Sequence, residues 1–139
     1  MKRHLHVACA IIEHEGKILA TQRSASMSLP LKWEFPGGKI EAGETPADCL
    51  SRELHEELGI AVTIGEALAT TTHNYEDFTV TLYPFICSMI EGTITLHEHK
   101  AFRWTKPQQM LELDWAAADL PIIIACQSLP VAELRGFMP

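Results

Sequence analysis

Glu53, Glu56 and Glu57 stand at i, i+3 and i+4 in a segment whose apolar residues, Ala47, Leu50, Leu54 and Leu58, recur at helical spacing. At roughly 100° per residue the three carboxylates occupy an arc of about 100° beside the apolar stripe, so a helix packed by its leucines can aim them at one point. As bare charges they are costly, because anions at i, i+4 repel by about 0.2–0.5 kcal/mol and anions in the last turns oppose the helix dipole by about 0.3–1 kcal/mol each. A hard divalent cation such as Mg²⁺, which prefers carboxylate oxygens, turns that repulsion into ligation. Three glutamates on one helix can also be a plain solvated face, and only their surroundings separate the two readings.

Upstream lies Pro36-Gly37-Gly38-Lys39, a turn at which backbone can approach a ligand or metal closely and Lys39 can reach a phosphate. It lacks the spacing of a P-loop. Thr45 and Pro46 then open the helix, as N-cap and first helical residue, with Asp48 completing a capping-box-like pattern and Gly59 closing the helix beyond Leu58.

Read together, Gly38, five residues, Glu44, seven residues, then Arg52-Glu53-Leu54-His55-Glu56-Glu57-Leu58-Gly59-Ile60 make a pattern of 23 residues. It resembles the Nudix box in full, with Leu54 and Ile60 in the two bulky-aliphatic slots. A wider resemblance, to the MutT branch and the related CTP pyrophosphohydrolases, runs from about Val7 to Ile124. It is carried by Trp33-Glu34-Phe35-Pro36-Gly37-Gly38-Lys39, Thr81-Leu82 and Ala118-Asp119-Leu120-Pro121.

That resemblance implies an α+β Nudix fold, a mixed β-sheet sandwiched between helices. It also implies an enzyme that hydrolyses a nucleoside triphosphate to the monophosphate and pyrophosphate with Mg²⁺, for which Mn²⁺ can substitute. Glu53, Glu56 and Glu57 become metal ligands, joined by a backbone carbonyl at Gly37 or Gly38 and by Glu98. The chemistry agrees, since in-line attack of water on a triphosphate needs its charge neutralised and the water activated. Arg52 and Glu44 become the pair that orients a metal-binding glutamate, although Glu44 also suits a simple helix-start anion. Arg23 is expected on phosphate, against the plainer reading of a strand-end charge.

Glu98 either joins the metal site or helps activate water, and the choice of general base between Glu53 and Glu98 stays open. Its neighbours His97 and His99 read as a solvated turn rather than as ligands. For the nucleoside, the resemblance points to Tyr75, Asp77 and Asp119, with Phe35 as an apolar wall. Asp119 equally fits an N-cap of the last helix, because Pro121 follows two positions later. As a base reader its carboxylate would accept from an amino group or a protonated ring nitrogen, which suits cytosine or a guanine derivative. MutT carries asparagine there, which separates this chain from a strict 8-oxoguanine preference. The substrates implied are 8-oxo-dGTP, CTP, dCTP or modified pyrimidine triphosphates. The rivals are a Nudix pyrophosphatase of ADP-ribose, dinucleoside polyphosphates or other nucleoside diphosphate-X compounds, and a non-catalytic nucleotide sensor. A sensor would more often have lost the box glutamates.

The elements that must position these residues follow from the rest of the chain. Its 139 residues, 47% hydrophobic and 21% charged, suit one globular domain spanning 1–139. No stretch approaches the roughly 18 apolar residues of a membrane span, and the run after Met1 is too short for a signal peptide, so a cytoplasmic protein is expected. A net charge of −7 disfavours a nucleic-acid polymer as partner and leaves a polyanion dependent on intervening metal. Oligomeric state, monomer or homodimer, is not legible. Cys9, Cys49, Cys87 and Cys126 lie far apart in apolar surroundings and read as buried free thiols.

Strands are expected over His4–Ile12 and Lys17–Thr21 as a hairpin, over Ala61–Thr72 and Phe78–Ile90, and over Ala101–Thr105. Ser24–Gly43 reads as an irregular loop held down by Trp33 and Phe35. A helical turn is expected over Pro107–Leu113, and a final helix from Asp119 through Leu129.

Overall fold

The computed structural model describes residues 2–128. Its frame is one sheet of eight strands: β1 (Arg3–His14), β2 (Lys17–Gln22), β3 (Trp33–Glu34), β4 (Gly37–Lys39), β5 (Ala61–Ala67), β6 (Thr71–Asn74), β7 (Phe78–Glu91) and β8 (Ala101–Thr105). Two α-helices accompany it, α1 (Pro46–Leu58) and α2 (Leu120–Ser128), with 3₁₀ turns at Pro107–Glu112 and Ala117–Asp119.

The centre of the sheet is a parallel pair. β1 and β7 run side by side in unbroken register from Arg3 opposite Phe78 to Glu13 opposite Ser88. The other named pairings are antiparallel, so the sheet is mixed. The side chains of β1 alternate between two separate cores, as the two-residue period of a strand requires. Ala8, Ala10 and Ile12 face a cluster with Leu50, Leu54 and Leu58 of α1, whereas Cys9 and Ile11 face a cluster with Ile122, Ile123 and Cys126 of α2. The helices therefore cover opposite faces, the sandwich expected from the sequence.

The hairpin forms with its turn at Glu15 and Gly16, and α1 occupies the expected residues. Two segments came out differently. The stretch from Ser24 to Gly43 contains β3 and β4, strands of two and three residues that pair with β2 and β1. Strands so short, rich in glycine, show no side-chain alternation that a sequence could display. The single strand expected over Ala61–Thr72 is two, because β5 pairs with the later half of β7 and β6 with its beginning. At the end of the chain, α2 starts at Leu120 after the 3₁₀ turn, and the expected last residue, Leu129, lies outside the described residues. All four cysteines are buried free thiols.

Candidate active site

A cleft of about 740 Å³ opens over the sheet where the first half of β1, β3, β4, the C-terminal half of α1, the turn after β6, the start of β7, the loop before β8 and the Ala117–Asp119 turn meet. One end is acidic, the other apolar.

The acidic end is built by α1. Thr45 Oγ1 accepts from Asp48 N at 3.1 Å, Pro46 occupies the first turn, and Gly59 takes the left-handed conformation, φ 68°, that ends the helix. Between these caps the buried Leu50, Leu54 and Leu58 fix the helix's rotation, and that rotation turns Glu53 and Glu57 into the cleft. Gly38 lies so close beneath Glu53 that a Cβ at this position would overlap the carboxyl group. The absence of a side chain at Gly38 is thus a spatial condition for Glu53 to sit where it does.

Arg52 organises the neighbouring acids. Its Nε and Nη2 grip Glu44 in a two-point pair at 2.8 Å each, while Nη1 donates to Glu53 at 2.9 Å and to Glu56 at 3.3 Å. The guanidinium hydrogen bonds, reinforced by the Glu41 amide, hold the Glu44 carboxyl down at about 2. Glu57 is pushed the other way, up to about 8, chiefly by burial and then by the charge of Glu53 and a hydrogen bond with it, with Glu98 and Glu34 adding to the effect.

These donors are hard oxygens whose mutual repulsion a divalent cation would relieve, so the residues suit such an ion. Among the described residues no three His, Cys, Asp or Glu side chains already converge as a finished metal site. Glu53 and Glu56 are drawn toward Arg52, and Glu56 is exposed and outside the lining of the cleft.

The apolar end comes from distant parts of the chain. Phe35 is buried against Trp115, with ring centroids 4.9 Å apart, and Tyr75 packs at a tilt against Phe78 with centroids 4.9 Å apart. The Tyr75 hydroxyl accepts from the Ala118 amide at 2.9 Å, and Asp119 Oδ1 accepts from the Phe35 amide at 3.3 Å. Asp119 is buried, and burial first, then the Glu34 charge, raises its carboxyl well above the usual range, against the lowering influences of the Phe35 amide and Arg23. Asp119 closes the 3₁₀ turn that precedes α2 and lines the cleft, and its side chain joins the turn to Phe35, the residue after β3, rather than capping α2.

Between the two ends, Arg23 Nη1 meets Glu34 Oε1 at 2.9 Å, and the other Glu34 oxygen meets His99 Nε2 at 2.9 Å. The expected solvated turn at His97 and His99 holds for His97, which is exposed; the His99 side chain is only 3% exposed. Neither Glu34 nor His99 stands out in the sequence, because what joins them is a tertiary contact across 65 positions.

Of the residues singled out from the sequence, the cleft is lined by Arg23, Phe35, Gly37, Gly38, Lys39, Glu53, Glu57, Tyr75, Asp77, Glu98 and Asp119. Arg52 and Glu44 stand behind Glu53, joined to it by the hydrogen bonds above. Lys39 and Asp77 line the cleft as exposed residues.

The fold and this arrangement of acids define a known class. The NUDIX domain matches residues 2–126, and the chain belongs to the Nudix family of hydrolases. The family's members generally depend on a divalent metal ion. Among its relatives, the CTP pyrophosphohydrolase of Escherichia coli strain K12 is 39% identical over 129 residues, covering 93% of this chain and 96% of that one. The 8-oxo-dGTP diphosphatase of the same strain is 32% identical over 128 residues, covering 91% and 99%. Among solved structures, the E. coli ORF135 protein superposes with a TM-score of 0.77 at 36% identity, covering 99% of this chain and 95% of its own. The MutT Nudix hydrolase of methicillin-resistant Staphylococcus aureus 252 gives 0.75 at 41%, covering 92% and 98%.

Proposed function

We propose that this chain, as one domain over 1–139, hydrolyses a nucleoside triphosphate to the monophosphate and pyrophosphate, using Mg²⁺ or, in its place, Mn²⁺. The observation that carries the reading is the two-ended cleft: acids that suit a divalent cation lie at one end, and an aromatic pocket with one buried carboxyl lies at the other. The relatives named for CTP and 8-oxo-dGTP support it.

Glu53, Glu56, Glu57 and Glu98, with the carbonyl of Gly37 or Gly38, would hold the metal. The bound ion supplies charge neutralisation and a more acidic water for in-line attack at the β-phosphorus. Arg52, kept in place by Glu44, orients Glu53. Arg23 and Lys39 meet the phosphates, Phe35 and Tyr75 enclose the nucleoside, and Asp77 and Asp119 read it. CTP, dCTP, modified pyrimidine triphosphates and 8-oxo-dGTP are the candidate substrates. The setting is the cytoplasm and the role a cleaning of the nucleotide pool; among the described residues no helix is long and apolar enough to cross a membrane.

The test is incubation with Mg²⁺ and a panel of CTP, dCTP, 5-methyl-dCTP, dGTP and 8-oxo-dGTP, with separate quantitation of monophosphate, pyrophosphate and orthophosphate. Monophosphate and pyrophosphate in equal amounts are expected, and the kcat/KM order shows how Asp119 is used. Turnover of ADP-ribose or dinucleoside polyphosphates with none of the triphosphates would replace the substrate class.

A further inference from the structure

Glu98 reaches the cleft on residues 92–100, the loop between β7 and β8, and the inference drawn from it rests on the reading of Glu98 as a working carboxylate. Glu98 itself is exposed and, among the described residues, makes no side-chain hydrogen bond. A charged side chain on a connecting loop has many positions open to it, and something else must confine it.

The residues on either side are tied down. The His97 amide donates to the Glu57 carbonyl at 3.2 Å, and the Lys100 amide to the Gln22 carbonyl at 2.9 Å. Between them the His99 ring turns inward to Glu34 at 2.9 Å. Because a carboxylate only accepts, Nε2 carries the hydrogen. Glu34 is held in turn by Arg23, whose Nε and Nη2 donate to the carbonyl and hydroxyl oxygens of Ser28 at 2.6 and 3.1 Å. A continuous polar chain thus runs from the loop after β2, across β3, to the residue beside Glu98. Packing alone does not account for the ring: Nδ1 is buried with no hydrogen-bond partner among the described residues, and a leucine of similar volume would fill the space without that defect.

We propose that His99 is a positioning residue, which through its bond to Glu34 fixes the loop so that Glu98 faces Glu57 across the acidic end of the cleft. It acts on the reaction through Glu98.

The test is a double-mutant cycle on the metal-loaded enzyme, combined with NMR of the metal-free protein. His99→Leu is expected to lower kcat by about 10–100-fold with little change in KM, the range for residues that orient a metal ligand. His99→Gln, whose amide can donate from a similar place, should recover most of the loss. In a Glu98→Gln background, His99→Leu should cost little more, because both changes remove one function. Without metal or nucleotide, the heteronuclear NOE at the amides of residues 97–99 should fall in His99→Leu and not in His99→Gln. Should His99→Leu fail to fold, His99→Asn, which is too short to reach Glu34, takes its place with the same expectations. Losses that add in full to those of Glu98→Gln, a loss confined to KM, or an unchanged NOE would each overturn the proposal. Full activity in Glu98→Gln alone would be a different failure, removing the reading of Glu98 on which the proposal stands.

Discussion

The two ends of the cleft are built in opposite ways. The acidic end is largely local: Glu53 and Glu57 sit on α1 with Arg52, which braces Glu53, and Glu44 and Gly38 lie within fifteen residues of Glu53, while Glu98 joins them from the loop before β8. The apolar end is assembled across the chain, with Phe35 meeting Asp119 over 84 positions and Tyr75 meeting Ala118 over 43. The local end concentrates like charges and is electrostatically unfavourable until a cation arrives. The distributed end is already satisfied by packing and hydrogen bonds. Changes at the first should therefore cost rate while sparing the fold, and changes at the second should alter affinity and stability together.

Glu57→Gln is the harshest test of that contrast. Removing the half-buried carboxylate proposed to hold the metal should lower kcat by about 10³-fold, on the order of 4 kcal/mol of transition-state stabilisation, while nucleotide still raises Tm. Comparison of steady-state kinetics with thermal shift separates the two, and undiminished turnover would break the distinction at its root. Gly38→Ala should cost about 10–100-fold in kcat by displacing the Glu53 carboxyl, the end of a flexible side chain, with only a small change in Tm. Gly37→Ala sharpens the same point, because its Cβ would strike the backbone of Ala8 and Cys9 and should destabilise the fold by about 1–3 kcal/mol.

At the other end, Asp119→Asn should change kcat/KM for the best triphosphate by about 10-fold or more and reorder the substrate panel, since a carboxyl and an amide offer a base different donors and acceptors. It should also stabilise the free protein in a pH-dependent way. Burial raises the folded pKa of Asp119, so the native state is penalised as pH climbs above the ordinary value near 3.9 and until the folded pKa is passed. The advantage of the amide is thus largest at neutral to alkaline pH and shrinks as pH falls toward about 4. Urea denaturation of both proteins across that range measures it, and a gap that widens in acid would contradict the assignment. The mildest change, Thr45→Ala, should remove about 1 kcal/mol of stability at the start of α1 without altering kcat at temperatures where the protein is folded.

The same division decides how much could be read in advance. Thr45, Pro46, the leucine spacing and Gly59 are signals within one element, and α1 has the expected bounds. The strands of β1 and β7 were legible as strands, but their parallel register, Val7 opposite Leu82 and Ile11 opposite Ile86, depends on pairing across the whole fold. The pocket depends on that register, and Glu34 and His99 depend on it too. For Phe35, Tyr75 and Asp119 the physical signals, an aromatic in a loop and an acid before a helix, say nothing of a shared pocket, and only resemblance to relatives groups them. Glu56, placed by helical spacing with Glu53 and Glu57, lies at the edge of the arc, where Arg52 holds it outside the cleft lining.

The alternation along β1 has a consequence for how such a protein can change over generations. The side chains behind the aromatic pocket belong to the layer beneath α2, and those that set the rotation of α1 belong to the opposite layer, with the sheet between them. Packing changes behind the aromatic pocket are thus separated by the sheet from the leucines that hold α1. A methyl group gained or lost in one layer leaves the packing of the other as it was, so the two layers can drift in sequence independently.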